Sequence, residues 1–140
     1  MKEKSAIPQV RFHARLSDGH RSYTTNQDVV YSTVLINDGG GYSPTTGHFT
    51  APVAGVYMFT VQYCPYSNKY AYLEIVHAGR DLQRSMHNGQ EGATSVCVSM
   101  QAFTKVAMGD KVWVRAISSS EIYHFGSSRW NSFAGLLISL

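Results

Sequence analysis

Nowhere does the chain carry an apolar run near the roughly 18 residues that a membrane-crossing helix needs, which excludes a spanning helix of that kind. Charge is sparse. Charged residues make up 15% of the sequence, and twelve Lys and Arg stand against nine Asp and Glu. The small positive excess is spread from Arg11 and Arg15 to Lys105, Lys111 and Arg129. It suits anionic ligands such as acidic glycans, but it is no clustered basic patch, so nucleic acid is not expected as a partner. Only two cysteines occur, Cys64 and Cys97, and neither has a close second thiol of the kind a structural zinc site requires. They are read as two buried free thiols or as one disulfide.

Other absences narrow the chemistry. No Gly-X-Y triplets run through the sequence, so it holds no collagen-like stalk. The six histidines (His13, His20, His48, His77, His87, His124) include no i, i+4 pair and no His-Glu-x-x-His. Neither Gly-x-Ser-x-Gly nor a Gly-x4-Gly-Lys phosphate loop is present. Gly39-Gly40-Gly41-Tyr42 is glycine-rich, but no Lys or helical pattern follows, so it reads as a turn. No carboxylates pair plausibly for glycoside hydrolysis. Together these absences argue against an enzyme.

At 140 residues the chain suits one domain, because halving it would leave two cores too small to stand alone. Met1 to Pro8 is polar and lysine-bearing, without the apolar stretch of a signal peptide, and is read as a leader or linker. Either a longer precursor preceded it or the chain stays inside the cell. The domain is placed at residues 9–140.

The dominant pattern has period two. Val10, Phe12, Ala14 and Leu16 alternate with Gln9, Arg11, His13 and Arg15, and Val96, Val98, Met100 and Ala102 alternate with Ser95, Cys97, Ser99 and Gln101. Denser runs rich in Val, Ile, Tyr and Phe lie at 29–36, 56–63, 70–76, 112–117 and 133–140. Turn chemistry separates them, as at Asp18-Gly19, Ser43-Pro44, Ala78-Gly79, Asn88-Gly89 and Gly109-Asp110. No window carries a clean helical stripe. Many short strands and no helix predict an all-β sandwich or barrel.

Within Tyr31–Val61, Asn37, Tyr42, Phe49, Gly55, Tyr57 and Phe59 fall at the spacing of a known signature. Tyr31 stands where that signature has Phe, and Val61 where it has an aromatic. The stretch resembles the complement component 1q (C1q) globular-head domain, and "GDKVWV" and "SFAGLLISL" resemble its late and closing strands. Gly55 is read as a place where a Cβ would clash, and Tyr57 and Phe59 as core, each ring worth roughly 1.5–3 kcal/mol when buried.

The resemblance implies a ten-stranded jelly roll of two five-stranded sheets, of the C1q and tumour necrosis factor type. It implies a homotrimer and a secreted, extracellular life. It also implies a non-enzymatic recognition role, foremost a pattern-recognition lectin of innate immunity binding microbial carbohydrates. The alternative is a protein ligand for a cell-surface receptor. The candidate ligand surface is Ser118–Asn131, where Glu121, Tyr123, His124, Arg129 and Trp130 accompany small hydroxyl residues in an expected loop. Ser85–Thr94 is a weaker candidate. Relatives often hold calcium through acidic loops, but Asn68 and Asp81 are a thin set for a cation wanting about 6–8 oxygens, so no cofactor is expected. By the same analogy, the strands bearing Cys64 and Cys97 are antiparallel neighbours with both thiols on the polar face. That arrangement would permit a bridge, provided neither strand slips by one residue.

Overall fold

The structure, a computed structural model, describes residues 7–89 and 96–140. The expected leader therefore lies outside the described residues except for Ile7 and Pro8. Twelve strands follow in order: β1 (Arg11–Arg15), β2 (Gly19–Tyr23), β3 (Asp28–Val29), β4 (Thr33–Asp38), β5 (Phe49–Thr50) and β6 (Gly55–Tyr63); then β7 (Tyr70–His77), β8 (Arg80–Asn88), β9 (Val98–Val106), β10 (Lys111–Ala116), β11 (Ser120–His124) and β12 (Ser132–Ser139). No helix occurs among the described residues. The first sheet has the order β4-β1-β12-β6-β9. The second runs β3-β10-β7-β8, with β5 also paired to β10. Two five-stranded sheets are thus present as expected. The count reaches twelve because β2 and β11 form a separate antiparallel ribbon.

Alternation decides which side of each strand is buried. Val10, Phe12, Ala14 and Leu16 all point into the sandwich. Phe12 stands at the centre of an aromatic cluster, with ring centroids 4.8 Å from Phe49, 5.0 Å from Tyr42 and 4.8 Å from Phe133. Tyr57 and Phe59, two apart on β6, are fully buried in the same core. A Cβ on Gly55 would come within 2.6 Å of Leu137 Cδ1 and of the Ser139 carbonyl oxygen, so glycine is there for space. Gly135 meets the same limit, 2.7 Å from Phe12 and Phe59.

Tyr31 shows what its ring gains and its hydroxyl loses. The ring is wholly buried, but its hydroxyl has no hydrogen-bond partner among the described residues, while Tyr42 donates its own hydroxyl to the Tyr31 carbonyl at 2.6 Å. An orphaned buried hydroxyl costs roughly 1–3 kcal/mol.

β6 and β9 pair antiparallel from Gly55↔Val106 to Tyr63↔Val98. One step beyond that last pair, Cys64 and Cys97 face each other at a Cα separation of 4.1 Å and are joined by a disulfide. Cys64 is on the outward side of its strand yet fully buried, because Trp130 and Asn131 lie over it.

Candidate ligand-binding face

The segment expected to be a loop is a strand followed by a tight turn. Ser-Glu-Ile-Tyr-His alternates with period two, and its three polar residues disguise a strand whose inward positions are Ser120, Ile122 and His124. Pairing with β2 sets Tyr123 opposite His20 and Glu121 opposite Ser22. The chain then reverses through Phe125–Arg129, where the Phe125 and Arg129 backbones exchange hydrogen bonds of 2.8 and 2.9 Å.

Asn131, wholly buried, fastens this ribbon to the sandwich. Its Oδ1 accepts the Cys64 N–H at 2.8 Å, its Nδ2 donates to the Tyr123 carbonyl at 2.8 Å, and its N–H donates to His124 Nδ1 at 2.9 Å. His124 is therefore not a surface contact, which corrects the reading of it as one of the ligand residues. Burial pushes its pKa below 6.5, with Arg21 and Arg15 acting the same way and Asp18 opposing. The neutral ring, with Nδ1 free to accept, is the form this network uses.

Glu121 and Tyr123 do face outward, and the structure surrounds them with residues the sequence had not singled out. Glu121 accepts from His20 Nε2 at 2.7 Å and lies 3.7 Å from Lys69 Nζ. The His20 ring rests 4.4 Å from Tyr66, Tyr66 meets Tyr123 edge-on at 5.7 Å, and Tyr123 stacks on Phe125 at 6.1 Å. The Arg129 guanidinium sits over the Tyr123 ring at 5.5 Å. Four rings thus form one row with a carboxylate and two cations beside it. Trp130 makes its contacts elsewhere: Arg15 covers its ring at 4.1 Å and its Nε1 donates to the Gly126 carbonyl. It borders a hollow with Gln62, Ser127 and Ser128, so the five predicted residues divide between two patches and the interior.

Next to Glu121 lies an open groove of ≈ 510 Å³, lined in part by Asn68, Lys69, Tyr70, Tyr72 and Ser119. Tyr70 and Tyr72 stack at 5.6 Å. His20 could have been found only by knowing that β2 pairs with β11, since it lies 101 positions from Glu121. Phe125 lies within Ser118–Asn131 but carries no polar signal.

Of the weaker candidate, Ser85–Asn88 belong to β8, with the Ser85 hydroxyl bonded to Tyr63 at 2.5 Å, and residues 90–94 lie outside the described residues. Of the residues offered for calcium, Asp81 lies 3.3 Å from Arg84 Nε, and Asn68 lines the groove. Among the described residues no three His, Cys, Asp or Glu side chains could hold a metal. No described helix is long and apolar enough to cross a membrane.

Residues 11–138 match the family model of the C1q domain. Complement C1q tumor necrosis factor-related protein 3 of Mus musculus is 33% identical over 131 residues, covering 93% of this chain and 51% of the relative. The same protein of Homo sapiens gives the same figures, and related protein 6 of Mus musculus is 27% identical over 79% of the chain. The chain thus spans about half the length of these relatives. Among solved structures, the globular domain of zebrafish complement 1qA superposes with a TM-score of 0.67 at 20% identity, covering 93% of this chain and 97% of that one. Eiger TNF from S. frugiperda gives 0.64 at 13% identity, covering 95% and 94%. The order and pairing of the two sheets, the buried signature residues and these similarities lead to one conclusion: the chain belongs to the C1q domain family and has the jelly-roll fold that family shares with tumour necrosis factor.

Proposed function

We propose that this chain is a secreted, non-enzymatic recognition module that assembles as a homotrimer and binds microbial carbohydrates through the outward face of β11. The observation that carries this reading is the row His20, Tyr66, Tyr123 and Phe125 with Glu121, Lys69 and Arg129 at its margin. Sugars are held by an apolar ring face next to hydrogen-bonding groups, and here both occur on one ribbon. The groove adjoining Glu121 adds further hydroxyl and amide groups.

Two further observations support the reading. The outward face of the first sheet exposes Leu136, Ile138 and Phe103, the last at 69%, with Met58 between Leu136 and Phe103. An apolar patch of that kind marks a contact surface. The Cys64–Cys97 bond suits an oxidising compartment.

The test is a glycan array with Tyr123→Ala/Arg129→Ala beside the unmodified protein. Weakened sugar binding with an unchanged fold is expected. Unchanged affinity for every sugar bound would move the site elsewhere. A second reading is a protein ligand for a cell-surface receptor, favoured by the residue types of the same row, since Tyr, Phe and Arg are enriched at protein interfaces. Saturable binding to a cell-surface protein, with an empty glycan array, would favour it.

A further inference from the structure

Glu74 lies on the outward side of β7, in alternation with the inward-facing Leu73 and Ile75, yet it is only 1% exposed. A carboxylate stripped of water is costly unless it is fully paired. Here each oxygen has its own arginine. Arg84 on β8 donates from Nε to Oε1 at 2.9 Å, and Arg115 on β10 donates from Nε to Oε2 at 2.6 Å. Strand register creates the arrangement, because Glu74 is opposite Arg84 on one side and opposite Arg115 on the other.

Both arginines engage Glu74 through Nε. Among the described residues their terminal Nη groups have no hydrogen-bond partner, and the side chains keep 57% and 26% of their exposure. The row is flanked by Tyr72 opposite Met86 and by Trp113 opposite Val76. Trp113 and the buried Val76 thin the water around Arg115, the less exposed of the two, which strengthens any charge contact made there.

We infer that Arg84, Glu74 and Arg115 form a preorganised clamp for a tetrahedral oxyanion, the sulfate or phosphate group of a sugar ester. A guanidinium presents paired N–H donors in a fixed plane, matching two oxygens of such a group. An exposed arginine ordinarily loses side-chain freedom on binding, and Glu74 has already ordered both. Placement rather than net charge must do the binding. Asp81 lies 3.3 Å from Arg84 Nε, and Asp28, opposite Arg115, is held by His48 at 2.9 Å. Tyr72 lines the groove beside Glu121, so a sugar carrying the anion has an aromatic surface two residues along β7 from Glu74. The clamp does not depend on the β11 face.

The experiment is a titration of the arginine side-chain NMR signals with glucosamine 6-sulfate and glucose 6-phosphate, using glucose as the uncharged control. Saturable shifts of Arg84 and Arg115 are expected with a charged probe and not with glucose. Whichever ester binds more tightly identifies the natural group. Glu74→Gln separates placement from charge: it removes a negative charge, so diffuse attraction would tighten binding, whereas loss of the clamp should weaken it about fivefold or more. Arg84→Lys and Arg115→Lys keep the charge and remove the fork. Each should weaken binding similarly, and each decides the matter even if Glu74→Gln fails to fold. Asp81→Asn should strengthen it. Absence of saturable shifts with both esters, tighter binding by folded Glu74→Gln, or unaltered binding by either lysine variant would overturn the clamp.

Discussion

The two sheets bury their inner faces in the same way but present opposite chemistry outward. On the first, Leu136, Met58 and Phe103 lie in one row across β12, β6 and β9, and Ile138 adds to them. On the second, the corresponding outward row is Arg115, Glu74 and Arg84. An apolar row leaves water favourably when another apolar surface covers it. A row of fixed charges gains little from such cover and much from a polar ligand. One sandwich can therefore assemble through one face and recognise ligands through the other, provided that the two faces are independent.

The largest effect should come from charging the apolar row. Leu136→Arg with Ile138→Arg is expected to convert the proposed trimer to a monomer of 15.5 kDa in sedimentation, with an unchanged far-UV spectrum. A stable monomer of the unmodified protein at micromolar concentration would overturn the proposed trimer, and a variant that stays trimeric would move the assembly face elsewhere.

The disulfide ties the other, polar end of the first sheet's outward face. Cys64→Ser/Cys97→Ser should lower stability by roughly 3–4 kcal/mol in the chain-entropy picture, without changing the assembly. Mass spectrometry of unreduced, alkylated protein checks the premise. Two alkylated thiols would remove both the bridge and a support for secretion.

Acid should act on the β2–β11 ribbon through His124. Burial holds the His124 pKa below 6.5, so its contribution is complete above that pH and is lost as pH falls below it. His13, on the first sheet, is shifted in the same direction by burial and Arg15. Unfolding measured from pH 7 to 5 should show falling stability, and His124→Asn, whose Oδ1 can accept the Asn131 N–H, should flatten the slope. An unaltered slope would assign the effect to His13.

The smallest effect concerns neither outer face. Tyr31→Phe removes the orphaned hydroxyl and should stabilise the fold by about 1 kcal/mol, read as a raised denaturation midpoint. Assembly and ligand binding should not change, which makes it a control for the other variants.

Much of this architecture was legible in the residues. The period-two alternation of 9–16 and the spacing of Asn37, Tyr42, Phe49, Gly55, Tyr57 and Phe59 gave the fold class and the core. The candidate site was legible only in part. Glu121, Tyr123 and Arg129 do meet on one face, but the expected loop is largely the strand β11, so His124 points inward and Trp130 contacts Arg15. Polar residues in a short strand look like a loop because a single strand does not reveal the partner that makes its pattern meaningful.

By itself, the sequence determined that this is an all-β chain, which side of most strands is buried, and the family to which it belongs. Alternation and signature spacing are local properties, and they survive without knowledge of pairing. Only the tertiary structure decided which outward residues meet. His20 reaches Glu121 across 101 positions, and Glu74 gathers arginines from 10 and 41 positions away. Strand order and register bring such residues together, and both are fixed by long-range packing of the whole sandwich.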